Sequence, residues 1–310
     1  NLSTRPVLLI TQIAPSGVEG GSSLGTLIFN ALNAAGEAVS GATVHVTNSD
    51  VSPAVDITTT TNNQGMITIP GLLASVGTYK ISVSKTGYTS EQTYDQTASF
   101  IPNVDHSHLS AENANTTTKT FYIDTVSSLT IKTEDDSGDE LGNIAYRITG
   151  TKKTGVDGSG SAVYVLNDAA TTDGFGISTY NDMTWDSYAF SIDGAATGHD
   201  IKETSAVLPL TIDPGTDTTL TVTLVPHADN TLHVTILDSG GAFVPNASVQ
   251  LTRPGYDQTQ LSSVNGQVFF TPIEDVAEYT ITVTAAGFVQ AVQLVTVDSG
   301  VRLQVNLTGV

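Results

Sequence analysis

Two histidines stand two residues apart in NVDHSHLSAEN, where His106 and His108 would share one side of an extended segment, with Asp105 and Glu112 close by. Paired imidazoles with a carboxylate are the raw material of a zinc site. A structural zinc site needs four ligands and a catalytic one three, and no second cluster in the chain completes the set. A solvated loop insertion is the simpler reading. His45 and His233 fall on the polar faces of equivalent strands, where solvation is expected; His199 sits at a strand exit and His227 in VPHADN, none with an obvious partner.

The carboxylates invite a second question. TEDDSGDELG brings together Glu134, Asp135, Asp136, Asp139 and Glu140, oxygen ligands of the kind calcium takes, yet the EF-hand spacing is absent. Asp and Gly are also what tight hairpins use, and VDGSGS and DPGTDT read as turns first. A pair of acids for glycoside hydrolysis would want a cleft with aromatic platforms, but aromatics are 6% of the chain and mostly fall on core positions. Trp185 in NDMTWDSYAF is expected to be a lid over a core, with a sugar-stacking role as the other option. Phosphate-cradling loops, serine elbows and dinucleotide fingerprints are missing. With no cysteine there is no thiolate chemistry and no disulfide. No catalytic, cofactor-binding or metal residues are therefore assigned, and no enzyme is expected.

Composition narrows the partners. Eleven Lys and Arg against 31 Asp and Glu give a net charge of −20, a field that repels nucleic acid. Only 14% of residues are charged, so hydroxyls and amides must make up most of the surface. This Thr-rich, Lys-poor composition points to an extracellular or cell-surface location. No apolar run is long enough to span a membrane. The chain opens at Asn1 without a methionine, as a processed form or a fragment would, and a leader or pilin-type helix ahead of it stays an open question.

The elements that would have to position any site are strands. In TLHVTILD, Leu232, Val234 and Ile236 share one face and His233 and Thr235 the other; ASVQLT, YTITVT and RLQVNL repeat the period of two. TLIFNALNAAGEAVSGATVHV aligns with TLHVTILDSGGAFVPNASVQL, placing Gly36 on Gly241, Ala42 on Ala247 and Val44 on Val249. Farther on, Gly65 falls on Gly266, Tyr79 on Tyr279 and Gly87 on Gly287. A looser middle copy contributes Leu129, Gly138, Ile144, Tyr146 and Tyr188, with an insertion, GTKKTGVDGSGSAVYVLNDAATTDGFG, that reads as a hairpin with a long loop. Turn glycines are expected in NNQG, SVNG and TTDG. No stretch carries a capped helical pattern.

The expected fold is all-β: three tandem immunoglobulin-like (transthyretin-like) antiparallel β-sandwiches with very little helix. The division is 1–25, an N-terminal strand and Gly/Ser tether; 26–125, a first sandwich; 126–226, a divergent second; and 227–310, a third. The motifs G-A-x-V, T-x-x-x-G and Y-x-I-x-V-x-x-x-G-Y resemble the carboxypeptidase regulatory-like family, also described as transthyretin-like or Cna-B-like. The resemblance covers most of the first and third units and about half of the second. It implies an accessory β-sandwich of stalks, adhesins and appended enzyme modules, typically extracellular and without an active site. Some Cna-B-like members carry a Lys to Asn isopeptide bond. Lys132 stands where such a Lys would, but TTLTVTLVP offers no Asn partner, which leaves an ordinary strand lysine.

Val7, Leu8, Leu9 and Ile10 form a short apolar strand ahead of SGVEGGSS, a flexible tether. Such a strand can pair with its own sandwich or be donated to a neighbour's open edge. The expected function is a non-enzymatic subunit of an extracellular filament or stalk, pilus-like or pilin-associated, self-associating through strand edges and using no cofactor. The alternative is a carbohydrate-binding or host-binding adhesin, or an accessory module of a secreted enzyme. Sequons at Asn1, Asn115, Asn246 and Asn306 matter only in a host that glycosylates.

Overall fold

The computed structural model describes residues 24–273 and 276–310, so the apolar stretch Val7, Leu8, Leu9 and Ile10 lies outside the described residues. The chain is nearly all strand; helix is confined to Gly194–Thr197 and a 3₁₀ turn at Val104–His106. Three buried clusters, spanning residues 27–123, 129–224 and 232–307, each fill the space between two sheets. Leu27, Leu129 and Leu232 begin them as equivalent, fully buried residues.

Each sandwich pairs its sheets in the same way. One holds the unit's first strand (Leu24–Leu32, Ser127–Asp135 or Thr231–Asp238), and the other is built around Thr43–Asn48, Ala145–Thr149 or Ser248–Arg253. Most pairs are antiparallel, but the first strand of every unit runs parallel to its last: Leu24–Leu32 beside Thr116–Tyr122, Ser127–Asp135 beside Asp217–Pro226, and Thr231–Asp238 beside Gly300–Leu307. An apolar alternation marks faces and not strand direction, so this detail has no trace in the pattern.

Three polar devices recur with the core. After the first strand an Asx side chain caps the turn: Asn33 Oδ1 accepts from the Glu37 amide at 2.7 Å, Asp135 Oδ1 from Ser137 at 2.8 Å, and Asp238 Oδ1 from Gly240 at 2.8 Å. Gly36, Gly138 and Gly241 then take φ of 81, 85 and 83°, a region that costs a residue with a Cβ. Deeper in, a buried hydroxyl accepts from the amide just ahead of a strand in each copy, Thr61 from Ala42 at 3.0 Å, Thr172 from Ile144 at 3.0 Å and Ser262 from Ala247 at 2.8 Å. Finally, the fully buried Tyr79 and Tyr188 rings send their hydroxyls to the carbonyls of Leu73 and Thr184, at 2.6 and 2.7 Å. In the middle copy the turn glycine with positive φ is Gly176, two residues past the Gly174 of TTDG, because Asp173 and not Thr171 caps the turn.

Candidate functional site at the junctions between the units

The polar residues that could have made a site converge where one sandwich meets the next. At the first junction the linker, residues 123–126, is bonded on both sides. The Thr89 amide donates to the Asp124 carbonyl at 2.8 Å and the Val126 amide to Gly87 at 3.1 Å, while the Gly215 amide donates to Thr125 at 3.2 Å. A strap then reinforces it. The excursion after Thr93 in the first unit carries Phe100–Pro102 across to Lys153–Asp157, the hairpin of the middle insertion, and completes a three-stranded sheet from two units. Asn103 extends the ladder, its amide donating to the Thr154 carbonyl at 2.9 Å and its Nδ2 to the Lys153 carbonyl at 3.0 Å. The sequence reveals the hairpin but not its partner, which lies some 50 residues away in another unit.

The histidine pair serves this strap. His106 ends the 3₁₀ turn, its carbonyl accepting from the Tyr94 amide at 2.6 Å and its ring 6.3 Å from that of Tyr94. Glu91 Oε1 lies 3.7 Å from His106 Nδ1. His108 turns instead to Thr93 Oγ1, at 2.9 Å, and Glu112 accepts from Asn115 Nδ2 at 3.0 Å, so the imagined ligand set is dispersed. Burial holds both imidazoles below the usual histidine range and raises the Glu91 carboxyl. Among the described residues, no group of three or more His, Asp or Glu side chains is placed to hold a metal ion.

Trp185 is half-buried beside this junction and stands outside the second core cluster, so it is not the core lid the sequence suggests. Lys152 Nζ sits 3.4 Å from its ring centroid and donates to Thr184 Oγ1 at 3.0 Å. One face of the indole is thus taken by a cation. Burial pulls the Lys152 ammonium down to about 8, against the opposing pull of Asp186, Glu91 and Asp124.

Gly155 is the steric condition for the strap. A Cβ there would meet the Ile101 carbonyl at 2.3 Å, the Phe100 ring at 2.8 Å and Pro102 Cα at 2.9 Å, two of them backbone atoms that cannot swing aside. Gly155→Val is expected to open the crossing while leaving the sandwiches folded. Hydrogen exchange should show the Asn103 and Gly158 amides losing protection by about tenfold or more, with the Leu129 and Ile131 amides unchanged.

At the second junction, residues 227–230, His227 Nδ1 lies 2.9 Å from Asp200 Oδ1, and Asp200 Oδ2 accepts from the Ala228 amide at 2.9 Å. That hydrogen bond raises the His227 imidazole above its ordinary value. Beyond it, Gln267 reaches from Gln267–Phe270 to His199–Thr204. Its Oε1 accepts from the Thr204 amide at 2.9 Å and its Nε2 donates to the Thr204 carbonyl at 2.8 Å, as a paired strand would. His233, expected on a solvated face, is buried at 7% exposed, because the second unit covers that side of its strand. Its Nε2 sits 2.9 Å from Gln267 Oε1, and burial, helped by the Arg302 charge, lowers it to about 4. His45 and His233, expected on equivalent strands, are not on them: His233 lies on Thr231–Asp238, the first strand of its unit, and His45 on Thr43–Asn48, a second strand, where it is half-buried and pairs with Asp56 at 2.8 Å.

The acidic turn is likewise spoken for. Asp135 caps its own backbone, Glu134 takes Lys132 Nζ at 3.2 Å, and Asp136 pairs with Lys202. Thr221 stands opposite Lys132 in the parallel ladder, so no Asn faces it there. Glu203 Oε1 accepts from Ser263 Oγ at 2.9 Å and Asn265 Nδ2 at 2.6 Å, a further tie between the second and third units.

Taken together these features define an all-β chain of tandem sandwiches whose convergent polar groups are spent on joints between units. No family model matches the chain, and no curated protein matches it. Among solved structures it is similar to the TIE protein of Bacillus anthracis, with 18% identity and a TM-score of 0.25, covering 93% of this chain and 51% of that one. It is also similar to the minor pilin of Streptococcus agalactiae (15% identity, TM-score 0.24, 59% of this chain and 96% of that one). A third is the major pilin subunit of Bacillus cereus (12% identity, TM-score 0.22, 93% of this chain and 100% of that one). The chain spans about half the length of the first of these.

Proposed function

We propose that the protein is a non-enzymatic, load-bearing subunit of an extracellular filament or cell-surface stalk, pilus-like or pilin-associated, built from carboxypeptidase regulatory-like sandwiches over 26–125, 126–226 and 227–310. The observation that carries this reading is the closure of both junctions by hydrogen bonds: a strand ladder of Phe100–Pro102 with Lys153–Asp157 at the first, and the side-chain amide of Gln267 on the Thr204 backbone at the second. An enzyme or its flexible accessory module gains nothing from locking every unit to the next. A spacer does, because force along the chain then loads many parallel hydrogen bonds together. Among the described residues no helix is long and apolar enough to cross a membrane.

Electron microscopy and small-angle scattering of the purified full chain test the reading. Rods of fixed inter-unit angle that lengthen into filaments with concentration are expected. Independently tumbling sandwiches, or a chain that stays a single copy at every concentration, would sink it.

A further inference from the structure

Sheets end in edge strands, and exposed edges invite other chains unless a charge or a proline blunts them. Here Asp56, Pro70, Lys119, Asp182, Asp257 and Arg302 each sit in such an edge. Among the described residues, Ala291–Val297 is the only edge strand longer than four residues with neither. Its sequence, AVQLVTV, is rich in β-branched residues and uncharged. One side pairs along its full length with Ala277–Thr284, and the other makes no backbone hydrogen bond among the described residues. Val292 and Leu294 are 59% and 62% exposed on its outer face. Gln293, between them in sequence, turns to the opposite face, where its Nε2 is buried.

We infer that this edge accepts residues 7–10 (Val7, Leu8, Leu9 and Ile10) of a second copy as an added strand. The inference rests on the filament reading above and names its contact. Four consecutive apolar residues suit a strand covered on both faces, where a half-exposed one would alternate. Beside the Ala291–Val297 edge such a strand would have apolar side chains next to it on both faces, Val292 and Leu294 on the exposed one and the margin of the core, at Val295 and Val297, on the other. The sandwich nearest the segment in sequence is a poor host, since its edges carry Asp56, Pro70, Glu91 and Lys119. Thirteen residues, 11–23, separate Ile10 from Leu24 and include Gly17, Gly20 and Gly21. Thirteen residues reach at most about 43 Å. Arg5 flanks the segment with a positive charge in a chain of net −20. Donor and acceptor belong to opposite ends of the chain, so the contact is head-to-tail, the kind that grows an open filament wherever successive copies do not close into a ring.

Sedimentation velocity on four samples decides it: the full chain, the chain lacking residues 1–23, a Val292→Lys/Leu294→Lys variant, and an equimolar mixture of the first two. The full chain is expected to assemble, both altered chains to need at least about tenfold higher concentration, and the truncated chain to shorten assemblies in the mixture. Because the chain has no cysteine, a Leu8→Cys copy and a Val292→Cys copy should form a disulfide only with each other. Unfolding temperatures of the lysine variant confirm that exposed positions were altered without loss of fold. Assembly untouched by the two lysines overturns the edge assignment and leaves the filament reading standing. A full chain dispersed as single copies at all concentrations overturns that reading. A Leu8→Cys/Val292→Cys chain that closes on itself when dilute, with no bond between copies, overturns donation to a neighbour.

Discussion

Gln267→Ala should free the third sandwich from the second and destabilise the chain by about 2–4 kcal/mol. The side chain is 4% exposed and satisfies three groups together, the Thr204 amide and carbonyl and His233 Nε2. Truncation leaves all three without partners in a dry place, and each buried orphan costs about 1–3 kcal/mol, less where water can enter. The same truncation removes the one side chain that mimics strand pairing across the junction, while Glu203 with Ser263 and Asn265 still holds part of the contact. Chemical denaturation should therefore show a lower midpoint and a separate early transition for the third unit, and scattering a broader distribution of lengths. A variant as stable and as stiff as the parent would mean the junction is held by apolar contact alone.

His233 makes the same junction sensitive to acid. Its imidazole, lowered to about 4 by burial and by Arg302, is neutral in the folded chain across a range where the unfolded chain binds a proton. Folded affinity for the proton is the weaker one, so stability is intact above the ordinary histidine value near 6.5 and is lost as pH falls toward 4. Each unit of difference is about 1.4 kcal/mol, which makes the full loss about 3 kcal/mol. His227 acts with the opposite sign. Its value is raised by Asp200, so its contribution is complete below the unfolded value and disappears as pH rises through the folded one. His233→Gln keeps a donor for Gln267 and cannot titrate. Denaturation midpoints measured from pH 7 to pH 4 should fall less steeply for this variant, by about 3 kcal/mol across the range, with His106 and His108 contributing alike to both chains. Parallel curves would show that His233 is hydrated in solution.

Core residues were legible from the chain because they answer to their own strands. Leu232, Val234 and Ile236 alternate with polar neighbours whatever lies beyond, and all three are fully buried. Tyr79, Tyr188 and Tyr279 hold one register in three copies because a buried ring leaves a fixed space in each. The histidines answer to more distant neighbours. His106 and His108 look like a ligand pair when only i and i+2 are counted, yet the 3₁₀ turn at Val104–His106 and the separate partners Glu91 and Thr93 part them.

Strand positions, turn chemistry and the threefold repeat were thus set by local pattern, since an apolar period of two and an Asx-Gly turn need no information from distant residues. Which polar faces are buried was decided only in three dimensions. Gln267, His233, Asn103 and Gly155 have the look of solvent-facing strand residues until another unit arrives against them. A hydrogen bond made across a junction depends on the placement of two separately folded bodies, and that placement leaves no periodicity in either one.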